Sequence, residues 1–252
     1  MNEHYMTSAA LKTRAKDLLD GRYGSAMLIL FLGNMLPWAL STVVNGFSGA
    51  VRLLVPVSPL ARIILALLVR VIITFFTNIF SAGYALFFLN MACRRNSEVS
   101  NLFYGFRWQL RKCLTLSGFF TAVSFILQLP CTVCYGMFQQ TDNISWIMGA
   151  LLSASAALAL STVFTLAFSQ CYYLMLDFPD YSAKQLLQGS VRIMKGHMGR
   201  LFYLRVSFVP LLLLAALTCG IGLLWLEPYM QMTYTCFFLD VMNPRKEPVR
   251  AV

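Results

Sequence analysis

Apolar residues in this chain run in six long blocks, at about 24–44, 63–92, 114–135, 144–176, 201–217 and 223–242, and polar residues gather in the stretches between them. A helix needs roughly 20 apolar residues to cross the hydrocarbon layer of a bilayer, where every backbone amide must find its partner within the protein. The pattern therefore predicts an all-α, polytopic membrane bundle of about six transmembrane helices. The second and fourth blocks exceed the minimum, which predicts tilt or helix that continues past the membrane. Glu227 and Pro228 interrupt the sixth near its start, so the alternative there is a short interfacial piece followed by a helix from Pro228,.

The polar stretches carry a second period. Three of them precede an outgoing block and place apolar residues on one helical face with cations beside them: Leu11, Ala15 and Leu18 with Lys12 and Lys16; Phe103, Phe106 and Leu110 with Arg107 and Arg111; Leu187, Val191 and Met194 with Arg192 and Lys195,. Ser182 and Gln185 have capping-box spacing at the start of the third,. All three are expected to be amphipathic helices lying at the inner interface. The chain then parses as one membrane domain over 1–252, either built from three helical-hairpin units (1–92, 93–177 and 178–252) or simply carrying basic inner loops,.

Charge gives the expected orientation. Lys and Arg fall mainly on the N-terminal segment, on the connections after the second and fourth blocks and on the C-terminal tail, whereas the loop near Asn143 has only Asp142, the 218–222 turn has no charge and the first outer loop has Arg52 and Arg62. By the positive-inside rule both termini are expected to be cytoplasmic, in agreement with an even number of spans. The first twenty-odd residues are polar and no small-residue cleavage site follows, so the first block is expected to act as an uncleaved signal anchor,.

Composition narrows the function classes. Of 252 residues 58% are hydrophobic and 12% charged, with a formal net charge of +10. The cations flank apolar blocks instead of forming one stripe, which argues against nucleic acid and for anionic lipid headgroups, attracted at about 1 kcal/mol per cation. Lys12, Lys16, Arg107, Arg111, Arg192 and Lys195 are the candidate contacts to headgroups or to a partner protein.

Ionisable residues at membrane depth are costly and therefore candidates for function. Arg70 in the second block and Glu227 in the sixth would both lie in the outer leaflet and form a candidate intramembrane ion pair; a substrate role and snorkelling of Arg70 are the alternatives,. Asp177, Arg205 and Asp240 fall near inner span ends, where pairing among them is expected. Pro37, Pro130 and Pro210 predict kinks, and Gly220 with Gly222 a tight turn,. Cys131 and Cys134 have metal or redox spacing but no second pair and no nearby His; the only histidines are His4 and His197,. With no phosphate loop, nucleophile elbow or carboxylate pair at a plausible depth, neither enzyme activity nor a cofactor is expected.

Several motifs belong together. The runs 11–24 (LKTRAKDLLDGRYG), 103–106 (FYGF), 177–180 (DFPD), 190–197 (SVRIMKGH) and 220–229 (GIGLLWLEPY) resemble, in order and over essentially the whole chain, the bacterial membrane-protein family called domain of unknown function 975. One departure is Pro130-Cys131, where the family pattern has a Pro-Gly step. The resemblance implies a multi-pass protein of the bacterial cell membrane and no established activity, so no functional residue is carried over. The expected function is that of a non-enzymatic accessory, scaffold or envelope-maintenance component; the alternative is a small-solute transporter or channel subunit.

Overall fold

The computed structural model describes residues 3–54, 59–107, 109–141, 143–218, 220–243 and 245–246, and these are almost wholly helical. In chain order they form β1 (Glu3–His4), α1 (Ser8–Leu19), α2 (Tyr23–Leu54), α3 (Pro59–Ala92), a 3-10 turn (Val99–Phe103), α4 (Tyr104–Arg107), α5 (Leu110–Thr141), α6 (Ile144–Ala167), α7 (Cys171–Asp177), α8 (Ala183–Met194), α9 (Met198–Val206), α10 (Val209–Leu217), α11 (Leu223–Met242) and β2 (Arg245–Lys246). Among the described residues five stretches are long and apolar enough to cross a membrane: Tyr23–Val43, Leu67–Ala92, Leu110–Phe138, Ile144–Asp177 and Met198–Leu217.

Two of the expected continuous spans are broken. The fourth stops at Ala167 and resumes as α7, and the fifth divides at Ser207–Phe208 into α9 and α10. Pro210 lies in the first turn of α10, where a missing N–H costs nothing, so it starts a helix instead of kinking one,. Pro37 and Pro130 lie inside α2 and α5. The sixth block, by contrast, is one helix: α11 runs straight through Pro228, which is buried in its second turn.

The chain divides into two compact units, each assembled from separated segments. The first comprises Met1–Leu32, Ser81–Tyr104 and Leu166–Val252; the second comprises Gly33–Phe80 and Gly105–Thr165.

In the first unit α1 packs along α11 and against α9. Thr7 caps α1, its hydroxyl accepting from the Ala10 N–H, and Leu11, Ala15 and Leu19 face inward without exposure to solvent beyond 2%. Burying each leucine contributes roughly 1.5–3 kcal/mol. Along α11, nearly everything from Leu226 to Asp240 is buried, including Phe237 and Phe238. The Tyr173 ring of α7 stacks on Phe238 at 4.9 Å and its hydroxyl shares a 3.0 Å hydrogen bond with Thr235. Gly83 of α3 lies directly on the Leu102 backbone, where a Cβ would come within 2.7 Å of the Leu102 Cα. At the two chain ends, β1 pairs with β2 in antiparallel register, Glu3 opposite Lys246 and His4 opposite Arg245.

In the second unit the Asn78 side-chain amide donates to the Thr121 hydroxyl at 3.1 Å, joining α3 to α5. Phe119, Phe120 and Phe164 form a ring cluster with centroids 5.8 Å apart. The outer surface of α6 is apolar, with Leu151, Leu152, Leu158 and Val163 all largely exposed. An apolar surface of this kind marks contact with lipid or another protein.

The amphipathic segments differ from one another. The third is as expected in its start: Ser182 and Gln185 form a full capping box at the head of α8. Its buried line, however, is Leu186, Ser190 and Met194, one residue out of phase with the expected Leu187 and Val191. Ser190 donates to the Ala167 carbonyl at 2.8 Å, which fixes that rotation. The second segment is a 3-10 turn followed by the single turn of α4, with Arg111 already in the first turn of α5.

Candidate functional site

Polar chemistry in the first unit concentrates where α1, α9 and α11 meet. Asp240, 3% exposed, lies in the last turn of α11 and accepts from the Arg200 Nη2 at 2.8 Å. The Met6 backbone N–H donates to both carboxylate oxygens at 3.1 and 3.2 Å, and the same Arg200 nitrogen donates to the Met6 carbonyl at 2.9 Å. The guanidinium also lies over the rings of Tyr5 and Phe237, at 4.7 and 5.4 Å, and Tyr5 packs edge-on against His197. A buried carboxylate must be neutralised and hydrogen-bonded to be tolerated. Here one cation and one backbone amide do so, and they pin the segment before α1 to α11.

Pairing was expected among Asp177, Arg205 and Asp240, but Asp240 takes Arg200 instead. Arg205 lies over the Tyr234 ring at 5.6 Å, and Asp177 feels the positive charge of Arg95. The reason is register: Arg200 begins α9 level with the end of α11, whereas Arg205 lies more than one turn further along.

Two lysines lie on the next turns of α1. Lys12 donates to the Ser207 carbonyl at 3.1 Å, with its ammonium 4.2 Å from the Phe208 ring centre. Burial, and secondarily the neighbouring Lys16 charge, lower its pKa from the ordinary lysine value. Lys16 is exposed and lies over the Tyr229 ring at 5.6 Å. Beside it opens a groove of about 330 Å3 between α10 and α11, with Leu211, Leu214, Trp225 and Leu226 among its walls and Lys16, Tyr23 and Tyr229 at one end. At the other end Gly220, at φ +85°, turns the chain, and Gly222 lies so close to Ala215 that a Cβ would come within 2.9 Å of its Cα.

The remaining predicted positions lie on several elements. Arg111 is exposed in the first turn of α5; Arg192 and Lys195 are exposed at the end of α8. The Arg107 side chain and Asp142 lie outside the described residues. Glu227 stands in electrostatic contact with Tyr84 in the first unit, and Arg70 belongs to the second. Arg70 is exposed and borders a cavity of about 20 Å3 lined also by Thr74, Thr121, Gln128 and Thr132. That volume is room for about one water. Cys131 and Cys134 are half-buried and free, and among the described residues no group of His, Cys, Asp and Glu has the arrangement of a metal site.

A helical chain whose described residues hold five membrane-length apolar stretches, with cationic amphipathic helices α1 and α8 docked beside them, is the class of protein that these features define. The chain belongs to the family described as protein of unknown function (DUF975), which it matches over residues 5–245. Comparison with curated proteins and with solved structures found no match.

Sequence reasoning missed Arg200, counting it only as a loop cation, and met Tyr23 and Trp225 only within family motifs, with no role assigned. A signal existed for the first: Asp240 is a lone acid near the end of an apolar block and requires a cation within reach.

Proposed function

We propose that this chain is an integral protein of the bacterial cell membrane with both termini at the cytoplasmic face, acting as a non-enzymatic accessory, scaffold or envelope-maintenance component. Its basic inner surface engages anionic lipid headgroups or a partner protein. The observation that carries the reading is α8: its buried line is docked on α7, while Val191, Arg192 and Lys195 are turned outward together. A helix that needs no further partner for its core face, yet exposes apolar and cationic residues side by side, suits a headgroup layer. Pairing of β1 with β2 supports a common face for the two ends.

The test is flotation with liposomes. Charge reversal at Arg107, Arg111, Arg192 and Lys195 should abolish the preference for anionic over zwitterionic vesicles in the soluble inner segments or the reconstituted protein, and unchanged preference would overturn the reading. A small-solute transporter or channel is the second reading, drawing on the polar-lined cavity beside Arg70. Its volume supports a hydrated helix contact better than a path.

A further inference from the structure

We propose that the groove between α10 and α11 is a binding site for one anionic phospholipid, with the phosphate at Lys16 and an acyl chain running along the hairpin toward the Thr218–Gly222 turn. The inference rests on the membrane reading above and assigns it a specific ligand.

Depth is the first argument. Lys12 reaches the Ser207 carbonyl and Lys16 the Tyr229 ring, so two ammonium groups mark one level on the hairpin. Beyond that level α10 has 9 residues. At 1.5 Å per residue the hairpin extends roughly 13 Å, close to half of a hydrocarbon layer about 30 Å thick. Its length thus matches one leaflet, the depth of one acyl chain.

The faces of α1 and α11 give the same level independently. Thr13, Lys16 and Asp17 of α1 and its C-cap residue Asp20 are exposed, while α1 and the segment before it follow α11 from Asp240, where Met6 binds, to Tyr229. A helix with two exposed carboxylates cannot line hydrocarbon, so this part of α11 lies in the headgroup region or in water. Past it the exposure reverses: Leu217, Ile221, Leu223, Leu224 and Trp225 are turned outward and apolar. The α10–α11 hairpin therefore enters the membrane from the side of α1 and returns without crossing.

Charge selects the ligand. Among the groove's lining residues Lys16 is the one charged group. Unlike Lys12, its ammonium is exposed and has no hydrogen-bond acceptor among the described residues, so it is poised for an external anion at the end where the headgroup layer lies. Tyr23 also lines the groove, which is otherwise predominantly aliphatic and aromatic.

Trp225 in the groove wall supplies the readout. The full chain, with Trp38, Trp108 and Trp146 replaced by Phe, is reconstituted in phosphatidylcholine vesicles containing a small fraction of chain-brominated lipid, which quenches indole on contact. Brominated phosphatidylglycerol should quench Trp225 with an affinity about fivefold above that of brominated phosphatidylcholine, the ratio expected from one lysine. Lys16→Gln should bring the ratio to one and Lys16→Arg should keep it. Glycerol phosphate, a headgroup without a chain, should not relieve the quenching. Equal quenching by the two lipids, a ratio that survives Lys16→Gln, or displacement by glycerol phosphate would each overturn the proposal. The flotation experiment reads Arg107, Arg111, Arg192 and Lys195 and leaves Lys16 intact, so the broader reading and this one fail separately.

Discussion

The Asp240 carboxylate and the Arg200 guanidinium, 40 residues apart in sequence, meet at 2.8 Å and together clamp the backbone of Met6. Removing one partner of a fully buried pair costs roughly 3–5 kcal/mol; here Arg200 keeps 30% of its side-chain surface in solvent, so loss of Asp240 costs less than that but also frees the Met6 N–H. Asp240→Ala should therefore lower thermal stability in detergent sharply, read by the unfolding of intrinsic fluorescence. Exchanging the two residues should not rescue it, since the Met6 N–H would then face a cation. Full rescue by the exchanged pair would mean that the amide contributes nothing.

Two glycines separate packing from propensity. Gly83 lies on the Leu102 backbone, whereas Gly24, in the first turn of α2, has nothing within 4 Å of where a Cβ would stand. Gly83→Ala should destabilise by about 1–3 kcal/mol, the usual cost of overpacking. Gly24→Ala should be neutral or stabilise by up to about 1 kcal/mol, because it restricts the unfolded chain at no cost to the folded one. Denaturation midpoints of the two variants in the same detergent decide the matter, and similar values would contradict the close approach at Gly83.

Topology distinguishes a hairpin that returns from one that crosses. In a chain whose native cysteines are replaced by Ser, a cysteine at Asn143 should react with a membrane-impermeant maleimide applied to intact cells. One at Ile221 should not, because the turn stops within the bilayer. Equal labelling at both positions would mean that α10 and α11 cross completely.

Lys12 gives a pH dependence of known sign. Its pKa is lowered from the lysine value of 10.5, first by burial and then by Lys16. Between the lowered value and 10.5 the unfolded chain binds more protons at this site than the folded one, so its contribution to stability rises with pH across that window,. Melting temperatures of the parent and of Lys12→Gln should therefore converge or diverge in the parent's favour as pH increases through the alkaline range. A difference that moves the other way would place the folded pKa above the ordinary value.

Hydrophobic blocks revealed α2, α3 and α5 directly, because a long apolar run in a helix-compatible composition has few alternatives. They did not reveal the break at 168–170, which contains neither the Gly nor the Pro that punctuates a pattern; the one at 207–208 was marked by Pro210, but as a kink and not as the start of a new helix. The one-residue phase errors have a common origin. Leu18 and Leu19, like Leu186 and Leu187, are adjacent, so periodicity alone accepts either; the partner helix chooses Leu19 and Leu186. At the candidate site, Lys16 was legible as a cation beside an apolar face. The groove was not, because its walls come from a hairpin nearly 200 residues further on.

Since Glu3 lies opposite Lys246 and His4 opposite Arg245, a group inserted just before β1 is delivered beside one inserted just after β2. Two halves of a divided reporter carried by a single polypeptide would meet without any encounter between molecules. The same adjacency orders biosynthesis: this clasp closes only after the last helix has emerged, so an incomplete chain holds its opening strand without a mate.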